Sequence, residues 1–488
     1  MQKHSHRFIR LLLYGFVMHS TGSNGFIIPA RYIQVLLMFT AILLVFYQRV
    51  NLSVAIVVLN KLNGTTNTTQ PQFDYASLTP HQRSSMLGSV FWGTFSVQLL
   101  SGYLSSHYGT VKLLLCCVLG SSLISLGLPY VLIYCGYEAF IAFRVLQGCT
   151  QGIVFPAVYG HLAKWCPLKE RSLLGGVSQS GLDMGMALGF LCSGLLAVTS
   201  LGWMAIFYVP GVAGVIWSAL WLAFAAESPQ KCRYISHKER TLIDEVGVAA
   251  TSTKRNAPTP WCAILTSVPY LVLVLVKLSH GLSIFTLMQQ IPLYINGLYD
   301  YEIHVNAMLS SLPFFLMFVT SHLVSYTAHY LLVVRKCPLA LVRKSMNTLS
   351  TWVPAAAFVA MTLLSKEHVS ANIACLIVAV TTYAAAAVGS SLNHIDLSPN
   401  FGGMLVGMTN MVMTGMGVIS PIAVAEIVKD ENDRSQWNII FLIIAALLFL
   451  GNLLYLIFGE MTAQPWDKIE NMDNRAANNT VVSFQVDT

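Results

Sequence analysis

The sequence predicts an all-α membrane protein with twelve transmembrane helices in two six-helix halves. Three observations predict it. Only 10% of residues are charged against 55% hydrophobic, with a mean hydropathy of +0.62; soluble domains carry about 25% charge. Long apolar runs recur along the chain, many of them near the ~20 residues a spanning helix needs. A polar stretch, residues 227–261, divides these runs six and six. Lipid offers backbone groups no hydrogen bonds, so only helices or closed barrels span it. Barrel strands would read as short alternating segments, and these runs are long and unbroken.

Residues 1–31 form a basic lead with Lys3, Arg7, Arg10 and Arg31. Its apolar run Leu11–Met18 is too short to span and has the look of a signal-peptide core. Arg31 abuts the first span, which favours a retained cytoplasmic extension. Helix 1 is expected near Ile33–Leu59, a run interrupted by Arg49, Asn51 and Ser53. The polar loop after it holds two glycosylation sequons, at Asn63 and Asn67, which place that loop outside and the N-terminus inside. Helix 2 follows near Ser84–Ser106, helix 3 near Val111–Ile133 and helix 4 near Glu138–Trp165. Helix 5, near Leu173–Thr199, is rich in glycine and contains Asp183; helix 6 lies near Trp203–Ala226.

The linker 227–261 is basic, and within it Ser236–Val246 reads as a short amphipathic helix. Ser236 would cap that helix, with Glu239 three residues on. Helix 7 is expected near Val268–Ile295 and carries Lys277, His280, Gln289 and Gln290. Helix 8 lies near Val305–Tyr330, before a basic loop with Arg335, Lys336, Arg343 and Lys344. Helices 9 and 10 lie near Met346–Ser365 and Ser370–Ser391, and Asn393–Pro399 forms a polar corner. Helix 11 is near Gly402–Val428 and helix 12 near Trp437–Phe458. The resulting domains are 1–31, 32–226, 227–261, 262–459 and a tail, 460–488, expected to be disordered. Twenty of the 28 Lys and Arg residues fall in segments this layout puts in the cytoplasm, five outside and three within spans. That bias satisfies the positive-inside rule.

The composition excludes several classes. The net charge of +7 reports sidedness, so no nucleic-acid partner is expected. Ten cysteines, mostly in apolar runs or basic loops, have no metal-site spacing and read as small buried hydrophobes. No paired acids, metal cluster or nucleophile motif is placed for catalysis, so no enzyme and no cofactor are expected.

The stretch Arg144–Arg171 is the most informative. An arginine in the middle of a bilayer costs about 2.5–3.5 kcal/mol and persists where it faces a polar cavity. At helical spacing Arg144, Gly148, Gln151 and Phe155 share a face. They offer a cation, a gap, an amide and an aromatic ring, a wall suited to a small anion, and the glycines also let a neighbouring helix approach closely. The alternative is a structural lock between Arg144 and an acid. Pro156 removes a hydrogen bond to Gly152 and is expected to bend the helix. Asp183 is either a counter-ion to Arg144, a cation ligand or a polar contact within helix 5. Lys277 either adds to the positive field or snorkels to an interface. His280 is either a ligand or a packing histidine.

Five motifs occur in order: Arg49-Val-Asn-Leu-Ser-Val-Ala55, Phe91-Trp-Gly93, the helix 4 stretch ending Lys164-Trp-Cys-Pro-Leu-Lys-Glu-Arg-Ser172, Glu227-Ser-Pro229 and Asn393-His-Ile-Asp396. Together they resemble the anion–cation symporter family of the major facilitator superfamily: sodium/phosphate cotransporters, sialin and vesicular glutamate transporters. The likeness runs over residues 28–466 and is strongest to the insect inorganic phosphate cotransporters. The resemblance implies a major facilitator fold and secondary active transport of a small anion by alternating access. It implies that Arg49 and Arg144 bind the solute's negative charge. His280 stands where glutamate transporters have a further arginine. Gln151 stands where proton-coupled members have glutamate, and Leu87 where glutamate transporters have histidine. Glutamine cannot titrate, so Gln151 carries no coupling proton and sodium is the expected coupling ion, with His280, whose ordinary pKa is ~6.5, the remaining candidate proton carrier. Gly102 is followed by no aspartate, so the family's salt-bridge lock at that turn is not expected. A proton-coupled, sialin-like exporter of organic anions is the alternative, and a non-transporting solute sensor a remoter one. The expected setting is the plasma membrane ahead of a lysosomal or vesicular one, with a monomer as the working unit.

Overall fold

The computed structural model describes residues 29–62, 79–237, 239–241, 243 and 259–467. The sequons at Asn63 and Asn67 and the segments 1–28 and 468–488 lie outside the described residues. Those described fold into twelve spans: α1 Ala30–Leu62, α2 Pro80–Tyr108, α3 Thr110–Tyr134, α4 Gly136–Trp165, α5 Leu173–Ala197, α6 Gly202–Phe224, α7 Val268–Tyr299, α8 Ile303–Val334, α9 Leu339–Leu363, α10 Val369–Leu397, α11 Gly402–Ile427 and α12 Arg434–Phe458. Ten are long and apolar enough to cross a membrane by composition alone; α2 and α9 have the length but more polar sequences.

Two compact units form, Met1–Thr253 with Met288–Phe315, and Lys254–Leu287 with Leu316–Thr488. The end of α7 and the start of α8 therefore group with the first unit.

In the first unit, small residues set the helix spacing. A Cβ on Gly181 or Gly185 of α5 would come within 2.3–2.4 Å of the Phe39 and Leu43 carbonyl oxygens of α1. A Cβ on Gly93 of α2 would lie 1.9 Å from the Val145 oxygen, and one on Gly148 of α4 would lie 1.9 Å from the Val90 oxygen. Backbones this close gain dispersion contacts, the main attraction available between helices in lipid. Pro210 in α6 has no N–H, which frees the Ile206 carbonyl. Asn51 of α1 donates to that oxygen at 3.2 Å.

Segment 227–243 docks on the same unit through two carboxylates. Glu227 accepts from the Thr110 and Val111 N–H groups at the start of α3, and from Lys164 at the end of α4. Burial alone would push its carboxyl up; the hydrogen bonds from Lys164, Val111 and Thr110 outweigh that and hold it at about 2. Glu239 accepts from the Ala30 and Arg31 N–H groups at the start of α1. Negative charge at a helix N-terminus is favourable because unpaired N–H groups and the helix dipole meet there. The expected Ser236 cap is present, its Oγ accepting from the Glu239 N–H at 3.2 Å.

The second unit corrects three expectations. Helix 9 begins at Leu339, so Arg343 and Lys344 lie in its first turns, not in a loop. Helix 10 continues through Ser390–Leu397, so Asn393–Asp396 lie on helical turns. Both follow from charge pairing. Arg343 donates to Asp396 at 2.7 and 3.3 Å and to the Val388 carbonyl at 2.9 Å, which removes the need for solvent at either charge. His394 fastens α10 to α11 through Thr409 at 2.8 Å. The third concerns the tail, whose first residues are ordered. Asp467 accepts from Ser398 and Asn400, and Trp466 packs against Ile264, Tyr270 and Leu405.

Candidate functional site

The polar centre of the first unit is a closed network of amides, hydroxyls and two guanidinium groups. Arg49 is 7% exposed and Arg144 1%. Arg49 Nε donates to Gln151 Oε1 at 2.9 Å. Gln151 Nε2 donates to Ser121 Oγ at 2.9 Å, and Ser121 donates in turn to Gln48 Oε1. Gln147 Nε2 reaches the same Gln48 oxygen at 3.4 Å and the Ser121 carbonyl at 3.1 Å. Arg144 Nη1 completes the circuit, donating to Gln147 Oε1 at 2.9 Å and to the Gln48 carbonyl at 3.2 Å. Helices α1, α3 and α4 thus each supply members. The Arg49 guanidinium also lies 4.7 Å from the Phe46 ring centroid and 5.9 Å from that of Phe91, distances suited to a cation–π contact.

Neither guanidinium meets a carboxylate among the described residues. Arginine stays charged in proteins, so the network holds two positive charges with no internal counter-charge. Among the described residues, Arg144 Nε and Nη2 have no hydrogen-bond partner. Neutral amides and hydroxyls can orient guanidinium groups without cancelling their field. An anion entering here would meet unspent charge and unspent donors.

Of the expected face on α4, Arg144 and Gln151 join one network and Phe155 packs against Phe46, with centroids 5.9 Å apart. Gly148 is turned to α2 instead, where it admits the Val90 carbonyl. It spaces helices and leaves no gap for a ligand. The helix does break here: it stops at Gln151 and resumes at Val154, one turn around the Gly152 carbonyl that Pro156 leaves without a donor. Asp183 is 7% exposed and forms no ion pair among the described residues. Arg144 is therefore not locked to an acid.

His280 and Lys277 belong to the second unit. His280 Nε2 lies 3.4 Å from Ser350 Oγ, and its ring meets Tyr383 edge-on with centroids 5.5 Å apart. Its Nδ1 has no hydrogen-bond partner among the described residues. Lys277 does not snorkel; it donates to Ser391 Oγ at 2.6 Å. Sequence reasoning missed Gln48, Gln147 and Ser121. The available signal was an amide beside Arg49 and another three residues after Arg144, both inside apolar runs.

Residues 15–421 match the family model of the Major Facilitator Superfamily. The chain belongs to the Major Facilitator Superfamily. Among curated proteins it is similar to a "Putative inorganic phosphate cotransporter" of Drosophila melanogaster, 29% identical over 82% of this chain and 76% of that one. It is 28% identical to human sialin over 90% of each chain. It is 29% identical to human vesicular glutamate transporter 2, over 90% of this chain and 75% of that one. These are relatives of the anion–cation symporter type that the motifs resemble. Among solved structures, the xylose transporter XylE of E. coli in an inward-open conformation superposes with a TM-score of 0.66 at 13% identity, covering 89% of this chain and 98% of that one. A bacterial homologue of the human lysosomal transporter Spinster gives 0.63 at 14% identity, covering 89% and 97%. Identities this low speak to the fold alone. This superfamily member is an integral, multi-pass membrane protein whose relatives are transporters of small solutes, not enzymes.

Proposed function

We propose that this protein is a secondary active transporter of small anions, inorganic phosphate or an organic anion, driven by sodium and working by alternating access. The observation that carries the proposal is the Arg49–Arg144 network, two buried guanidinium groups oriented by glutamines and a serine and neutralised by no carboxylate among the described residues. In a medium less polar than water, each charge attracts an anion several times more strongly than it would in solvent. Arg49, Arg144 and Gln151 contact the solute; His280, in the second unit, is a separate candidate contact. Relatives named for phosphate and glutamate support an anionic solute. Gln151 holds no titratable proton, which favours sodium as the coupling ion. The protein works as a monomer in the plasma membrane and catalyses no reaction.

The alternative is proton-driven export of an organic anion, like that expected of a sialin relative. Asp183 favours it, being a buried acid in the first unit with no ion pair. Initial uptake of labelled phosphate, urate and sialic acid into proteoliposomes, under a sodium gradient and under a proton gradient, separates the two. Sodium-stimulated uptake of one of these anions is expected. Flux that follows only the proton gradient transfers the proposal to the alternative, and binding without flux under either gradient removes transport altogether.

A further inference from the structure

The second unit contains a buried cation with the same deficit. Lys277 is 6% exposed, and among the described residues no carboxylate lies within ion-pair range of it. The acid on the facing stretch of α10, Asp396, is already held by Arg343. An ammonium has three N–H donors, and Lys277 gives one to Ser391 Oγ. A lysine needed only for packing would extend its stem to an interface and keep its charge in water. This one turns inward to a hydroxyl.

Ser391, the partner of Lys277, and Ser390 and His280, the nearby residues along α10 and α7, are donors or neutral. Ser391, which accepts from the ammonium, is itself half-buried. Ser390, one residue back on the same helical turn, is fully buried and its Oγ has no hydrogen-bond partner among the described residues. His280, one turn along α7 from Lys277, is 3% exposed with Nδ1 unpartnered. The charge on Lys277 bears on both His280 and His394. His394 is committed elsewhere, to the Ser391 carbonyl and Thr409. An uncompensated ammonium, two serine hydroxyls and a free imidazole nitrogen suit a single oxyanion group.

We propose that Lys277, with Ser390, Ser391 and His280, forms a second anion subsite built entirely within the second unit, which takes one phosphate or carboxylate group. The inference shares with the proposed function the class of solute and the residue His280, and it does not depend on Arg49, Arg144 or Gln151. Its occupant is either the transported anion, held at a second station, or a separate activating anion.

The test is thermal melting of the purified full-length protein in detergent, titrated with sodium phosphate or sodium acetate, with sodium chloride holding ionic strength constant. The variants are Lys277→Met, Lys277→Arg, Arg144→Gln and, should the last fail to fold, Arg49→Gln. Without added anion, Lys277→Met should melt above wild type, because it removes a buried charge that has no partner. Arg144→Gln should retain an upward shift that grows with the logarithm of anion concentration. Adding Lys277→Met to it should abolish that shift, and Lys277→Arg should preserve it. A shift in phosphate alone marks the occupant as phosphate, and one in both marks any small oxyanion. The subsite is overturned if Arg144→Gln or Arg49→Gln alone removes the whole shift, if Lys277→Met leaves it unchanged, or if neither anion shifts wild type. The arginine reading is judged separately by uptake, so a shift lost in Arg144→Gln removes the subsite and leaves that reading intact.

Discussion

Replacing Gln151 with glutamate places a carboxylate where an amide oxygen now accepts from Arg49 Nε at 2.9 Å. Opposite charges about 4 Å apart interact by about 4 kcal/mol at an effective dielectric of 20. Desolvating the new carboxylate takes back part of that. A net competition of about 1.4–2.8 kcal/mol would weaken solute affinity roughly ten- to a hundredfold. The sign with pH follows from the protonation state. When ionised, the introduced carboxylate occupies Arg49 and competes with the anion; when protonated, it is neutral like the native amide. Apparent affinity in the Gln151→Glu variant should therefore improve as pH falls, relative to wild type at each pH. The assay is initial uptake into proteoliposomes over about pH 5 to pH 8, with KM measured for both proteins. Superimposable KM profiles would refute the reasoning, because they would mean that the Gln151–Arg49 contact does not face the solute.

Asp396→Asn should destabilise the second unit by about 3–5 kcal/mol, since it strands Arg343 as a buried charge; melting in detergent reads this, and the Arg343→Met, Asp396→Leu double variant should recover most of the loss. Equal melting of Asp396→Asn and wild type would show the pair to be inert. Glu227→Gln should cost about 1 kcal/mol by weakening the anchor of α3 to Lys164. The native carboxyl sits at about 2, below its ordinary value of 4.5. Its stabilisation is therefore complete above the unfolded-state value and is lost only as pH falls towards about 2. The melting difference between Glu227→Gln and wild type should stay constant from pH 8 to pH 5 and shrink in stronger acid; a difference that already fades between pH 8 and pH 6 would contradict this.

The twelve spans were legible because apolar length is a strong signal and survives local irregularity. Their ends were less so. Arg343 and Asp396 each read as loop chemistry when taken alone, yet they neutralise one another across 53 residues and let α9 and α10 run on. The start of α2 was readable after all: Thr79 and Gln82 have capping-box spacing, and both reciprocal bonds form. Within the site, Arg49 and Arg144 stood out because a charge inside a span is expensive. Gln151 followed from the face it shares with Arg144. Gln48, Gln147 and Ser121 did not stand out, since a neutral polar side chain in an apolar run can hydrogen-bond its own helix at little cost. Their importance lies in linking α1, α3 and α4, a relation that no single stretch of sequence contains. Gly148 was legible as a point of close helix approach, which it is, against a carbonyl of α2; its reading as a gap for a ligand was wrong.

The measurement that bears most directly on the account is anion uptake by Arg144→Ala, with the amount of folded protein in the proteoliposomes matched to wild type. The account predicts that uptake falls to the level of empty liposomes while the protein remains folded and inserted. Uptake at the wild-type rate would contradict it, because the anion would then cross without the charge around which the first unit's network is built.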